Sequence, residues 1–279
     1  MANYTVADIQ ALRERSGAGM LDVKKALDEA GGDLDKAVDI LRVKGLKGVT
    51  KREGRAASEG LVTADVREGG AGQVGTLIEI NSETDFVAKN ATFIALADKV
   101  LAAVVAAGST TTEEALEAAA ESGTVLDLIN ETAGVLGEKI VLRRIARIEA
   151  PHVTLYLHKT NQDLPAQIGV LLGTDTAAKD IARDVAMHIA AYSPIYLTRE
   201  DVASDVVEHE RQVATETAKA EGKPEAALPK IVEGRLGGFF KENVLLEQAY
   251  AKDPKTTVEK VVASSGGAVT AFARIRVGA

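Results

Sequence analysis

Two carboxylates and an aromatic ring stand close together in Asn81-Ser82-Glu83-Thr84-Asp85-Phe86-Val87-Ala88-Lys89-Asn90. Glu83 and Asp85, two residues apart, could serve as paired acids in general acid–base chemistry. Either could instead cap a helix, which is the commoner fate of a turn carboxylate beside a helix start. Phe86 also has two readings. It could pack back on its own helix as a staple, or project as a wedge that enters a pocket on another protein. A wedge bordered by carboxylates could disturb a phosphate or Mg2+ site in such a partner. Exposed aromatics on turns often anchor a partner. Aromatics are scarce here, with five Phe, five Tyr and no Trp.

Other chemistry is sparse. No cysteine is present, which removes disulfides, thiolate nucleophiles and zinc–thiolate sites. Four histidines disfavour a His-rich metal site. Neither G-x-x-x-x-G-K-[ST] nor H-E-x-x-H occurs, and no glycine-rich dinucleotide loop leads from a strand into a helix. His188 follows Met187 amid apolar residues at helical spacing, so it reads as a packed or interface histidine rather than a base. With 33 Lys+Arg against 41 Asp+Glu, the net charge of −8 makes a poor general nucleic-acid binder. The basic stretch Lys44 to Ser58 could touch RNA, but it reads more readily as a solvated connector. The longest apolar run, Val100 to Ala107, is too short to span a bilayer. The start, Met1-Ala2-Asn3-Tyr4, shows no signal peptide, and a cytoplasmic location is expected.

The elements that must position these residues follow from periodicity. Residues 4–45 predict three short amphipathic helices separated by Ser16-Gly17-Ala18-Gly19 and Gly31-Gly32, with Thr5 or Asp8 and then Asp33 as caps. None is stable alone, so they must pack together. From Gly60 the period changes to two. Leu61 to Val66 and Val74 to Ile80 predict strands around a loose tip, and Thr92 to Ala107 an Ala-rich helix. A helix from Thr112 to about Glu121 and strands at Ile140 to Ile148 and Val153 to His158 follow. A weak repeat then appears. Ile168 to Gly173 runs through a polar turn into the helical Ala177 to Tyr192, as Val74 to Glu79 does into Thr92 to Ala107. The second copy lacks the Asp-Phe-Val turn, which suggests a duplicated α+β core in which only the first unit carries the aromatic. Asp205 to Glu221, capped by Asp201 or Ser204, and Glu225 to Glu242, kinked at Pro229, predict a helical hairpin like a short antiparallel coiled coil. Its seam would use Val206, Val213 and Ala220 against Ile231, Leu236, Phe239 and Phe240. A helix near Thr257 to Ser264 and a strand at Val269 to Val277 close the chain.

The stretch Leu12-Arg13-Glu14-Arg15-Ser16-Gly17-Ala18-Gly19-Met20-Leu21-Asp22-Val23-Lys24-Lys25-Ala26-Leu27 closely resembles the opening signature of the elongation factor Ts family. Glu79 to Lys89 resembles its second signature. Gly137 to Arg144, Met187 to Ala191, Gly222-Lys223-Pro224 and Ile231 to Arg235 match further segments, in the family's order along nearly the whole chain. The resemblance implies an α+β fold with antiparallel sheets in its duplicated core. Its parts would be a ubiquitin-associated-like three-helix module at 1–45, a linker at 46–58, one core subdomain at 59–150, a second at 151–197 with 243–279, and an inserted hairpin at 198–242. It implies a guanine-nucleotide exchange factor that binds elongation factor Tu carrying GDP. Thr84, Asp85, Phe86 and Val87 would form the exchange wedge near the partner's Mg2+ and phosphates. Arg13, Met20 and Leu21 would dock the N-terminal module, and His158, Met187 and His188 the second subdomain. No cofactor or metal of its own is implied, because GDP and Mg2+ belong to the partner. No direct nucleic-acid or membrane contact is implied, and a homodimer or a heterotetramer with the partner are both left open. Two departures stand out. Ser82 occupies a position where many members carry Cys, and the C-terminal helical module of some relatives is not seen after Ala279. A chaperone-like adaptor without exchange activity is the competing reading, and a hydrolase using Glu83 and Asp85 a more distant one.

Overall fold

A computed structural model describes residues 3–70 and 72–279. Three helices open the chain: α1 (Val6–Ser16), α2 (Met20–Glu29) and α3 (Leu34–Arg52). Thr5 and Asp8 both act at the first boundary, each accepting from the other's backbone N–H in a capping box. Leu12, Val23, Ala26, Leu27 and Ala37 form the small core between the helices. The expected connector is different. The α3 helix continues through Lys44 and ends only at Arg52, so much of 44–58 is helical rather than loose.

Next come β1 (Glu59–Gly69), β2 (Gly72–Ser82), α4 (Asp85–Ala88), α5 (Ala91–Ala107), α6 (Thr112–Glu117), α7 (Val125–Leu136) and β3 (Val141–Ala150). The three strands form an antiparallel sheet in the order β1-β2-β3. A second run of strands and helices follows. The strands β4 (His152–His158) and β5 (Ile168–Thr174) lead into α8 (Lys179–Tyr192), followed by α9 (Ser204–Ala220), α10 (Leu228–Asn243), β6 (Ala249–Tyr250), β7 (Asp253–Thr257), α11 (Val258–Ser264) and β8 (Val269–Arg276). A second antiparallel sheet has the order β4-β5-β8, and β6 pairs with β7 in a short ribbon.

The two three-stranded sheets stack face to face. Val62, Leu77, Val153, Leu171 and Ile275 fill the space between them. Alternation sends Ile78 and Ile80 to the opposite face of β2, where α5 and α7 cover them. Val170 and Leu172 likewise meet α8 and α11. The central strands β2 and β5 are therefore covered on both faces, and β5 accordingly reads as a nearly continuous apolar run. Glycines let the sheets approach. A Cβ on Gly169 would sit 2.5 Å from Leu77 Cδ1, and one on Gly75 would sit 2.8 Å from Val153 Cγ1.

The hairpin forms, and Val206, Leu236, Phe239 and Phe240 pack in its seam as expected, but Val213 and Ala220 do not. Ala214 and Ala218 of α9 face Val232, Leu236 and Phe240 of α10, whereas Val213 is exposed. Pro229 does not kink a helix but lies in the first turn of α10, where its missing N–H leaves no bond unmade. Asp201 caps the short 3₁₀ turn Arg199–Asp201 with Thr198, and α9 has no side-chain cap. Among the described residues no helix is long and apolar enough to cross a membrane.

Candidate partner-binding site

The strand β2 ends at Ser82, whose hydroxyl donates to the Thr84 carbonyl at 3.0 Å. Thr84 is extended and caps α4, its Oγ1 accepting from the Val87 N–H at 3.4 Å. The cap is thus Thr84, not Glu83 or Asp85. The single turn of α4 buries Val87 and Ala88 against the first core. Phe86 is then turned outward and is 73% exposed. It does not pack as a staple. Asn90 caps α5 directly afterwards by accepting from the Thr92 N–H at 2.8 Å, so the turn is bounded by ordered structure on both sides.

The two carboxylates have separate tasks. Asp85 pairs with Lys89 at 3.3 Å, and the Lys89 ammonium lies 4.6 Å from the centre of the Phe86 ring. Glu83 points to the protein. Its Oε1 accepts from the Lys139 N–H at 2.7 Å, and Arg55 lies 3.2 Å from Oε2. Burial pushes the Glu83 carboxyl up, but the Lys139 N–H together with Arg55 and Arg52 outweighs it and holds the group below its ordinary value. A carboxylate fixed in this way is a structural anion, not a free general acid. A third carboxylate, unflagged by residue spacing, completes the turn. Glu138 accepts from the N–H groups of Glu83 (3.1 Å) and Thr84 (3.0 Å) and from the Thr84 hydroxyl (2.6 Å). The only sequence trace of it was its place within the Gly137 to Arg144 match.

The N-terminal candidates are all at the surface. Arg13 is in the last turn of α1, and Met20 and Leu21 open α2 with 59% and 73% exposure. Val6 and Val43, not singled out from sequence, are also exposed. The N-terminal helices lean on the rest of the chain through α3 and α7. A Cβ on Gly134 would lie 3.1 Å from the Gly45 Cα, and Arg52 donates to the Ala133 carbonyl at 3.0 Å.

The third group divides. His158 ends β4 in an exposed position, with Nδ1 3.1 Å from the Tyr156 hydroxyl. Its neighbours Leu157 and Lys159 line an open cleft together with Lys89, which brings this edge towards the wedge turn. Met187 is exposed on α8. His188 is buried, with Nε2 at 2.8 Å from Gln248 Oε1 and Nδ1 accepting from the Ala251 N–H at 3.2 Å. Gln248 donates to the carbonyls of Tyr192 and Glu242, which leaves its Oε1 for the imidazole N–H. Of the two readings, His188 is therefore packed, and in this conformation it cannot touch a partner directly. Tyr192, exposed at the end of the same helix, and Ile195, exposed just beyond it, are surface groups that periodicity did not identify.

Exposed apolar groups on ordered elements, with the carboxylates at the Phe86 turn engaged in holding it, define a protein-binding factor. Among the described residues no cluster of potential metal ligands occurs. The family model described as Elongation factor TS matches residues 83–279. The chain is 62% identical to elongation factor Ts of Beutenbergia cavernae and of Micrococcus luteus, and 60% identical to that of Pseudarthrobacter chlorophenolicus, with 100% of both chains covered each time. The chain belongs to the elongation factor Ts family, a family of translational nucleotide-exchange factors and not of enzymes.

Proposed function

We propose that this chain binds elongation factor Tu carrying GDP and speeds nucleotide release by inserting the Thr84-Asp85-Phe86-Val87 turn beside the partner's Mg2+ and phosphates. Family membership supports the partner and the reaction. The observation that carries the mechanism is Phe86, a large apolar ring held in water at 73% exposure by a turn anchored on both sides. The N-terminal helices act as a ubiquitin-associated-like docking module through Arg13, Met20 and Leu21, while His158 and Met187 contribute from the second half of a duplicated core. The hairpin is an insertion into that second half. The factor works in the cytoplasm without cofactor or direct nucleic-acid contact.

The physics is linkage. The factor must bind the nucleotide-free partner better than the GDP form, and each ~1.4 kcal/mol of that preference weakens GDP binding tenfold. Burying one Phe contributes roughly 1.5–3 kcal/mol. The wedge alone then supplies about one to two decades, and the docking surfaces must supply the rest. Release of a fluorescent GDP analogue from elongation factor Tu tests this. The natural protein should accelerate release and Phe86→Ala should lose most of the acceleration while melting normally. No acceleration by the natural protein would defeat the proposal. Binding through the three-helix module that ignores Phe86 would point to an adaptor instead.

A further inference from the structure

We propose that Glu138 is the positioning residue of the wedge, and that its clasp with Glu83 holds the turn rigid beside the exit from the N-terminal helices. The proposal rests on the exchange reading of Phe86 given above.

The clasp is reciprocal. Residues 83–84 donate two backbone N–H groups and a hydroxyl to the Glu138 carboxylate. Residue 139 returns its backbone N–H to the Glu83 carboxylate. Two chain segments 55 residues apart thus exchange carboxylates across one small contact. Besides this clasp, the Arg55–Glu83 pair is the other long-range polar anchor of the turn among the described residues. The Thr84 hydroxyl gives its proton to Glu138 and keeps a lone pair for the Val87 N–H, so Glu138 also orients the cap of α4. The carboxylate itself is aimed by Gly137, which ends α7 in the left-handed conformation at φ 76°.

The clasp continues to the N-terminal module. Arg55, three residues past α3, pairs with Glu83, and the Lys139 ammonium donates to the carbonyls of Glu53 and Arg55. The same α7 that ends at Gly137 carries Gly134 and Ala133, which seat α3. The wedge and the exit from the module are therefore fixed to one corner of the protein. A preorganised wedge delivers its binding energy to the partner instead of spending it on its own ordering.

The test compares Glu138→Ala, Glu138→Gln, Phe86→Ala and the Glu138→Ala/Phe86→Ala double variant in GDP-analogue release over a range of factor concentrations. Glu138→Ala should lower the maximal release rate about tenfold or more, since misplacing a reacting group by about 1 Å can cost up to about 100-fold. The half-saturating concentration should change less than about twofold, because the docking residues are untouched. Glu138→Gln, which keeps one acceptor oxygen, should recover part of the rate. The double variant should be no slower than Phe86→Ala, since both changes act through one ring. A full rate for Glu138→Ala, or losses that multiply in the double variant, would overturn the positioning role. Amide hydrogen exchange of the free protein separates the clasp from the exchange reading. Glu138→Ala should release protection at the Glu83 and Thr84 amides and leave those of α5 unchanged. Unchanged protection at Glu83 and Thr84 overturns the clasp, whereas failure of the natural protein to release GDP overturns the exchange reading alone.

Discussion

A phenyl ring in water carries a standing cost, and Phe86 bears it because Val87 and Ala88 occupy the inward side of α4. His188 on α8 has the opposite fate, and its burial makes a pH prediction. Burial lowers its pKa, while the Gln248 hydrogen bond partly offsets that by favouring the charged form. Protonation would place a second N–H at Nδ1, opposite the Ala251 N–H that Nδ1 now accepts. The unfolded chain therefore takes up a proton that the folded chain refuses. Stability contributed by this residue is present above the unfolded value of about 6.5 and falls as the pH drops below it, until the lowered folded pKa is passed. Melting temperature followed from pH 7.5 to 5 should fall less steeply in His188→Gln than in the natural protein. Equal slopes would show that His188 titrates normally.

At the scale of elements, the α3–α7 crossing is the joint on which the N-terminal module depends. Its closeness requires glycine on both sides, so Gly134→Leu must push the helices apart. The expected result is a higher half-saturating concentration in the exchange assay with a smaller change in maximal rate, the reverse of the Glu138→Ala pattern. The same region shows where sequence is legible and where it is not. Caps and periodicity located α1, α2, α5 and most strands, because those signals are local. The α7 helix escaped notice although Thr124 and Asp127 form a capping box and Val125, Leu128, Ile129 and Ala133 lie on one face. Asn130, Thr132 and Gly134 dilute its helix propensity. The continuation of α3 to Arg52 depends on the same contact, since tertiary packing can hold as helix a glycine-bearing basic stretch that propensity leaves open. Phe86 was legible as a wedge or a staple, and only the direction of α4 removes the staple. Glu138 was invisible as a partner of Thr84 because 54 residues separate them.

For the whole molecule, the stacked sheets are the structural centre, with a helical layer over each outer face. Leu171 is fully buried between the sheets. Leu171→Ala should cost about 2–5 kcal/mol in denaturant unfolding, the range for a large core truncation that leaves a cavity. A loss under ~1 kcal/mol would mean that the two sheets are free to close on the gap. The stack also joins distant parts of the chain by polar contacts. Glu79, buried on the central strand of the first sheet, is 2.5 Å from Arg144 and accepts from the Gly278 N–H at 3.0 Å. Both halves of the core are thus tied to β2.

That strand leads directly into the proposed wedge, a placement with mechanical meaning. A ring forced between tightly packed groups pushes back on whatever holds it. Behind Phe86 stand the middle strand of a three-stranded sheet and a 17-residue helix, not a free loop. The load spreads through the β1 and β3 hydrogen bonds and along the axis of α5. When two bodies press together the softer one deforms, so in the proposed insertion stiffness behind the tip would make the partner's nucleotide site the part that yields.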